Sequence, residues 1–430
     1  MKYWKISLAS VVIVAVLVWG FWGRLAGFGR FLGLLRGENS NINLTGLTLP
    51  SGFKLEVVVK NLNKPRVIVF DAKERMLVSE LGANQITIFE PGADGKLVGR
   101  ILIEKLRSPH GLAFYTDQKK KVTYLYVAES YQVVRYIYNV ASGSVVVSSA
   151  ENIANFSDTG LHITRTIAFG PNFRTTPIVK GYLDRETQLA NKLYVSVGSS
   201  CNVCVEESWK RGAILEADPE GTFLAEFAGG LRNSVFFTFH PKTGQLWATE
   251  MGRDNLGDKL PPDEINIVKV ANVETPFGAR RYGWPFCYGD KIKDSTFNPA
   301  PFQRTDVPKD CTKTESSYLD IPAHSAPLGL AFITDPTWPT EWQDDLLVAY
   351  HGSWNSTAPV GYKIVRFVLA ADGNITKDVA GQPQVEDFIT GWLSNGKVSG
   401  RPVDLKFHAG SLFISDDYSG VIYKVSRVSQ

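Results

Sequence analysis

One motif returns along this chain, and it leaves few folds open. A small or basic residue opens an apolar strand, a turn follows, and a second strand of the Leu-Tyr-Val kind completes the unit. The copies lie at 64–70 with 76–79, 109–114 with 124–127, 161–172 with 192–200, 231–237 with 245–249, 326–332 with 345–349, and 400–405 with 411–415. Further outer strands follow in several copies, as at 420–425. The strands are short, rich in Val and Tyr, and bounded by Gly, Pro and Asn. Sustained helical periodicity is scarce. Six such units, roughly 40 to 90 residues apart, read as an all-β six-bladed propeller. A large β-sandwich is the competing architecture, and the repetition argues against it. The chain of 430 residues, 44% hydrophobic, has ample material for one large repeat domain. We therefore expect a hydrophobic N-terminal helix over 1–23, a linker over 24–48 and the propeller over 49–430.

In a propeller the first strand of each blade lines a central channel. Each copy here delivers a polar residue at about the same point: Arg66, His110, His162 with Arg165, Arg232 with Asn233, His324, and Arg401. These residues are expected to meet at one end of the channel. Taken alone, His162 reads as a structural histidine; its register with the others points to a base working near neutral pH. A basic pocket of this kind suits a polyanionic small molecule, because guanidinium forks grip carboxylates. The densest acidic region, 250–255 with 261–266, offers oxygen ligands to a hard cation such as calcium, or else a hydrogen-bonded loop. It lacks EF-hand spacing. The longer loops, 173–190, 251–262, 271–282 and 288–320, are candidate cleft walls.

The net charge is +3 with acids and bases interspersed, which gives no footprint for nucleic acid. Residues 6–23 are uncharged and follow Lys2 and Lys5. Such a run is just long enough to cross a bilayer once, or to act as an export signal. No Ala-x-Ala site follows it, which favours an uncleaved anchor. Export to a periplasmic or extracellular location is the expectation. Four cysteines fit that compartment. They allow three pairings, of which Cys201–Cys204 with Cys287–Cys311 is preferred.

Several segments together resemble the glucose/sorbosone dehydrogenase family. They are His162-x-x-Arg165 with Phe169-Gly170-Pro171, Gly230-Leu231-Arg232-Asn233, Asp263-Glu264-Ile265-Asn266, Tyr282-Gly283-Trp284-Pro285, Ala326-Pro327-Leu328-Gly329, and the run from Ser415 to Tyr423. The resemblance covers about 50–428 and is closer to the sorbosone and pyranose branch. It implies a six-bladed propeller that oxidises a sugar or sugar aldehyde with pyrroloquinoline quinone (PQQ) and calcium. On that resemblance His162 is the general base. Arg232 and Asn233 hold the quinone oxygens, and Arg401 pairs a cofactor carboxylate. His324 and His351 fall at further cofactor contacts, and the carbonyls of Gly252 and Arg253 at the calcium ligands. Two departures stand out. The glucose branch has an Asp to orient the base where this chain has Ser199, which leaves Asp263 as a candidate orienter. Cys204 is followed by Val205, so the chain has no C-x-x-C-H haem motif and electrons must leave to a separate acceptor. The competing functions are a non-catalytic extracellular ligand-binding propeller and a calcium-dependent lactonase-type hydrolase.

Overall fold

The computed structural model describes residues 46–173, 192–269, 279–302 and 304–428. The apolar run 6–23 and nearly all of the linker lie outside them, as do most of 173–190 and 271–282.

Six antiparallel sheets of four main strands make six blades. Blade 1 is Pro65–Phe70, Met76–Glu80, Gln85–Pro91 and Leu97–Ile103. Blade 2 runs from Leu112–Asp117 through Val122–Ala128 and Gln132–Asn139 to Ser144–Asn155. Blade 3 holds Ile167–Gly170, Lys192–Val197, Ala213–Ala217 and Ala225–Gly229, with Arg280–Arg281 added in parallel at its edge. Blade 4 is Phe237–Phe239, Leu246–Glu250, Asp263–Val268 and Leu319–Ile321. Blade 5 is Pro327–Phe332, Leu346–Tyr350, Lys363–Phe367 and Val385–Ile389. Blade 6 takes Pro402–His408, Ser411–Asp416 and Val421–Arg427 from the C-terminal end, and its fourth strand, Phe53–Val59, from the N-terminal side. That exchange closes the ring and leaves no open seam between the first and last blades.

The burial pattern explains the sequence pattern. The second strand of each blade is covered on both faces by neighbouring blades. Met76–Glu80, Leu246–Glu250 and Leu346–Tyr350 are buried along their whole length. Such strands read as continuous apolar runs. The outer strand Leu97–Ile103 is exposed over most of its length.

Second-strand hydroxyls fasten one blade to the next. Ser79 Oγ donates to the His110 carbonyl at 2.7 Å, Ser196 Oγ to Val235 at 3.0 Å, and Thr249 Oγ1 to Leu328 at 2.9 Å. Ser415 Oγ donates to the Arg66 carbonyl. Between blades 2 and 3 the backbone does the same work, with Gly111 N–H on the Arg165 carbonyl at 2.9 Å. These bonds fix the entries of the channel-lining strands, where the polar series sits. His162 and Arg232 precede their strands and stand in the entry loops. Below them the channel strands line an open cavity of about 470 Å³, with Phe70, Phe114, Phe169 and Phe239 among its walls.

Both expected disulfides are present, with Cα separations of 6.2 Å for Cys201–Cys204 and 5.8 Å for Cys287–Cys311.

Candidate active site

The His162 ring is set by Ser199. Its Nδ1 lies 3.0 Å from the Ser199 carbonyl and 2.9 Å from Ser199 Oγ. The Oγ proton goes to the Cys201 carbonyl at 2.7 Å, so Oγ can only accept from the ring. Both partners of Nδ1 are then acceptors. The neutral imidazole must carry its proton on Nδ1 and keep a lone pair on Nε2, which bonds no described residue. Burial, and next the Arg232 guanidinium, push the His162 pKa down to about 3. The ring is therefore neutral at working pH. No carboxylate of the described residues bonds Nδ1 to orient the ring. Asp263 does not fill that role, since its two oxygens accept from Gly252 N–H and Ala326 N–H, each at 2.8 Å.

Arg165 and Arg211 hold the His162 loop from behind. Arg165 donates to the carbonyls of His162 and Thr164 at 2.8 Å, and Arg211 to those of Gly198 at 3.2 Å and Ser157 at 2.7 Å. Position 198 admits only glycine. A Cβ there would fall 2.5 Å from Asn233 Oδ1 and 2.6 Å from His162 Cβ. That close approach is what brings His162 and Asn233 together.

Arg232 is held on all sides. Its Nε donates to the Asn202 carbonyl and Nη2 to Asn202 Oδ1, both at 2.9 Å, while Nη2 also meets Asp254 at 3.1 Å. Nη1 donates to the carbonyls of Gly252 at 2.8 Å and Met251 at 3.3 Å. Asn233 is fixed through its N–H to Glu250 at 3.0 Å.

A second group continues the arc. Arg401 Nε donates to the His351 carbonyl at 3.0 Å, and Nη2 to that of Gly352. His351 Nε2 donates to Asp417 at 2.8 Å, and Arg66 pairs with the other oxygen of Asp417. Burial, then Arg401, lower His351 to about 4. Burial alone would raise Asp417, but His351, Arg66 and Arg401 outweigh it and hold the carboxylate well below its usual range. His110 joins the two groups. It is fully buried, held far below its ordinary pKa by burial and then by Arg66, and it feels Arg165 on the other side. Its Nδ1 lies 3.4 Å from Thr166 Oγ1, and Nε2 has no partner among the described residues. Hydrogen bonds run from His162 through Arg165 to Gly111 beside His110, and from the His110 carbonyl through Ser79 to Val67 beside Arg66, so the two groups stand along one arc of strand entries.

The remaining expectations divide. His324 sits at the blade 5 entry with its Nε2 on the Gly257 carbonyl at 2.8 Å, bonded to the wall loop. Arg253 sends its guanidinium to Asp294 at 3.1 Å and Thr296 at 3.0 Å. The acidic region is hydrogen-bonded loop rather than open carboxylates. Burial raises Glu250 to about 8, and Asp263 and Glu264 to about 7. Their oxygens accept from Asn233, Ser234, Gly252, Ala326, Asn266 and Gly289. Asp417 and Asn202 were not singled out from the sequence. The Asp416-Asp417 pair was visible there, but its partners are hundreds of residues away.

Fold and site define a six-bladed propeller with a cationic, histidine-bearing cup at one end of its channel. The sequence matches the TrAA12-like family model over residues 47–428, and the chain belongs to that family. It is 28% identical over 383 residues to an uncharacterized protein of Borreliella burgdorferi, covering 88% of this chain and 90% of the relative. It is 23% identical to the pyrroloquinoline quinone-dependent pyranose dehydrogenase of Coprinopsis cinerea, over 89% of this chain but only 55% of that longer protein. Its fold superposes on a calcium structure of a Trichoderma reesei family AA12 enzyme with a TM-score of 0.70, at 23% identity, covering 91% and 99% of the two chains.

Proposed function

We propose that the protein is a PQQ-dependent dehydrogenase of sugars or sugar aldehydes, with His162 as its base and calcium beside the cofactor. The single observation that carries this reading is the state of His162: neutral, protonated on Nδ1, with Nε2 uncommitted. Such a ring has the lone pair to accept a proton from a sugar hydroxyl, or from a hydrated aldehyde, at Nε2. Burial and Arg232 make it a weaker base than the expected near-neutral one, and an anionic cofactor beside it would raise its basicity.

The residues present fit a polycarboxylate quinone. Arg66, Arg232 and Arg401 line the arc, and the carboxylates paired with them are Asp254 and Asp417. Arg165 and Arg211 add two further guanidiniums behind the loop. Asp158 and Glu206 face that second pair, so the uncompensated positive charge lies with Arg66, Arg232 and Arg401, where the carboxylates of a polyanion would meet it. The quinone, when bound, supplies the acceptor for the hydride released as the hydroxyl is deprotonated. Arg232 and Asn233 would hold its oxygens, Arg232 through the Nη1 protons that calcium would free by taking the Gly252 and Met251 carbonyls. Arg401 would hold a carboxylate, and His351 and His324 the flanks. For calcium, the Gly252 and Met251 carbonyls converge on one cationic group, which here is the Arg232 guanidinium. Such oxygens are the donors a hard cation takes. The carbonyl of Arg253 is the proposed second family-type ligand. Calcium would act there as a Lewis acid.

The family membership and the C. cinerea relative support the reading, as does the T. reesei calcium structure for the metal. A lactonase-type hydrolase is disfavoured by the acids, which are spent on internal hydrogen bonds. We further propose export, supported by the two disulfides and the apolar run 6–23, and a separate electron acceptor. The test is a titration of the purified protein with PQQ and calcium, followed by dye reduction over a sugar panel. Absence of binding at micromolar PQQ overturns the assignment.

A further inference from the structure

The loop 199–204 touches both sides of the proposed chemistry. Ser199 accepts from His162 and sends its own N–H to the Arg232 carbonyl at 2.7 Å. Cys201 provides the carbonyl that takes the Ser199 hydroxyl proton. Asn202 receives the Arg232 fork on its carbonyl and on Oδ1. The same two oxygens take Trp284 Nε1 at 3.3 Å and Asp254 N–H at 2.8 Å. The Cys201–Cys204 disulfide then closes the chain around Asn202 and Val203. Without a cross-link, a half-exposed loop of this length would let those carbonyls rotate outward.

We propose that residues 199–204 form a disulfide-closed brace that holds His162 in its Nδ1–H tautomer through Ser199 and aims Arg232 through Asn202. Ser199 and Asn202 are thus positioning residues. The assignment rests on the reading of His162 and Arg232 given above. It goes further in making one loop responsible for both. In this chain the brace stands where a carboxylate would otherwise fix the base. The serine hydroxyl has a choice of roles that a carboxylate lacks, and the Cys201 carbonyl removes that choice.

The brace is testable without turnover. The apo protein is labelled with 15N-histidine, and its six histidines are resolved by ring-nitrogen shifts. Wild type should show His162 as a single Nδ1–H tautomer. Ser199→Ala keeps the carbonyl acceptor at 3.0 Å and loses the hydroxyl, so it should admit the Nε2–H form as a resolvable minor population and leave the PQQ dissociation constant within about twofold. Asn202→Ala should keep the tautomer and weaken PQQ about tenfold, because the guanidinium loses the Oδ1 acceptor that fixes its plane and its charge is no longer aimed at the site. Cys201→Ala/Cys204→Ala should do both, and Ser199→Thr should restore the wild-type tautomer. If the double variant does not fold, the two single variants decide. Unchanged tautomer in Ser199→Ala together with unchanged PQQ affinity in Asn202→Ala overturns the brace. Should wild type bind no PQQ, the dehydrogenase reading falls, and the tautomer measurement still decides whether Ser199 sets His162.

Discussion

His351 donates its Nε2 proton to one oxygen of Asp417 at 2.8 Å, while Arg66 holds the other oxygen. One carboxylate at the end of the blade 6 second strand thereby joins blades 5, 6 and 1 on the cationic side of the cup. An amide cannot carry its charge. Asp417→Asn leaves Arg66 buried without a counter-ion, which costs about 3 kcal/mol of stability. The melting temperature should fall by several degrees. PQQ, an anion, should then raise the melting point of the variant more than that of wild type. Equal melting points for the two apo proteins would refute the pairing.

His162→Ala should separate binding from chemistry. The arginines that would hold the quinone are anchored by Asn202, Gly252, His351 and Gly352 rather than by the imidazole. PQQ affinity should therefore stay within a few-fold. Turnover should drop roughly 10²–10⁴-fold, the range ascribed to a positioned general base. Retained turnover in a PQQ-loaded variant assigns the base elsewhere.

Burial also gives His162 a pH signature. Its folded pKa, about 3, lies below the ordinary value near 6.5. Between those values the unfolded chain binds the proton and the folded one does not, so this group's contribution to stability falls as pH falls. The loss is about 1 kcal/mol between pH 7.5 and 5.5. Glu250, Asp263 and Glu264, raised by burial, act in the opposite direction, so the quantity to measure is a difference. Acidification from 7.5 to 5.5 should lower the melting point of wild type more than that of His162→Gln. Parallel shifts in the two proteins would show that the imidazole is not buried neutral.

The repeat was legible because both-face burial of the second strands writes unbroken apolar runs at each blade. The arc was legible for a related reason. Arg66, His110 and Arg401 stand where channel strands begin, at the same point of each copy. Their partners were not. Asp417 meets Arg66 across 351 positions, and no local pattern encodes that pairing. Asn202 lies inside a C-x-x-C, and that spacing carries no mark of an acceptor for a guanidinium thirty positions on. Asp263 is the acid the sequence offers to orient the base in place of the residue at 199. It stands instead at the start of the blade 4 third strand, where the backbones of Gly252 and Ala326 use both its oxygens. Arg253 pairs outward with Asp294, a contact that depends on the fold of the 288–320 loop.

The ring itself depends on one strand borrowed from the other end of the chain. Phe53–Val59 pairs antiparallel with Val421–Arg427, from Phe53 opposite Arg427 to Val57 opposite Tyr423. Phe53 then packs on Trp338 at 4.8 Å, Trp342 at 5.4 Å and Phe388 at 5.8 Å between ring centroids. Phe53→Ala removes that anchor but keeps the ladder, and should cost about 2 kcal/mol, less than a fully buried Phe. Starting the chain at Lys60 removes the ladder too. It leaves Val421–Arg427 as an unpaired edge, and such an edge templates pairing with other chains. The shortened protein should elute as aggregate in size-exclusion chromatography and lose its cooperative melt, while Phe53→Ala remains a folded species of lowered melting point. A truncated chain that melts like wild type would mean that blade 6 holds the ring closed with three strands.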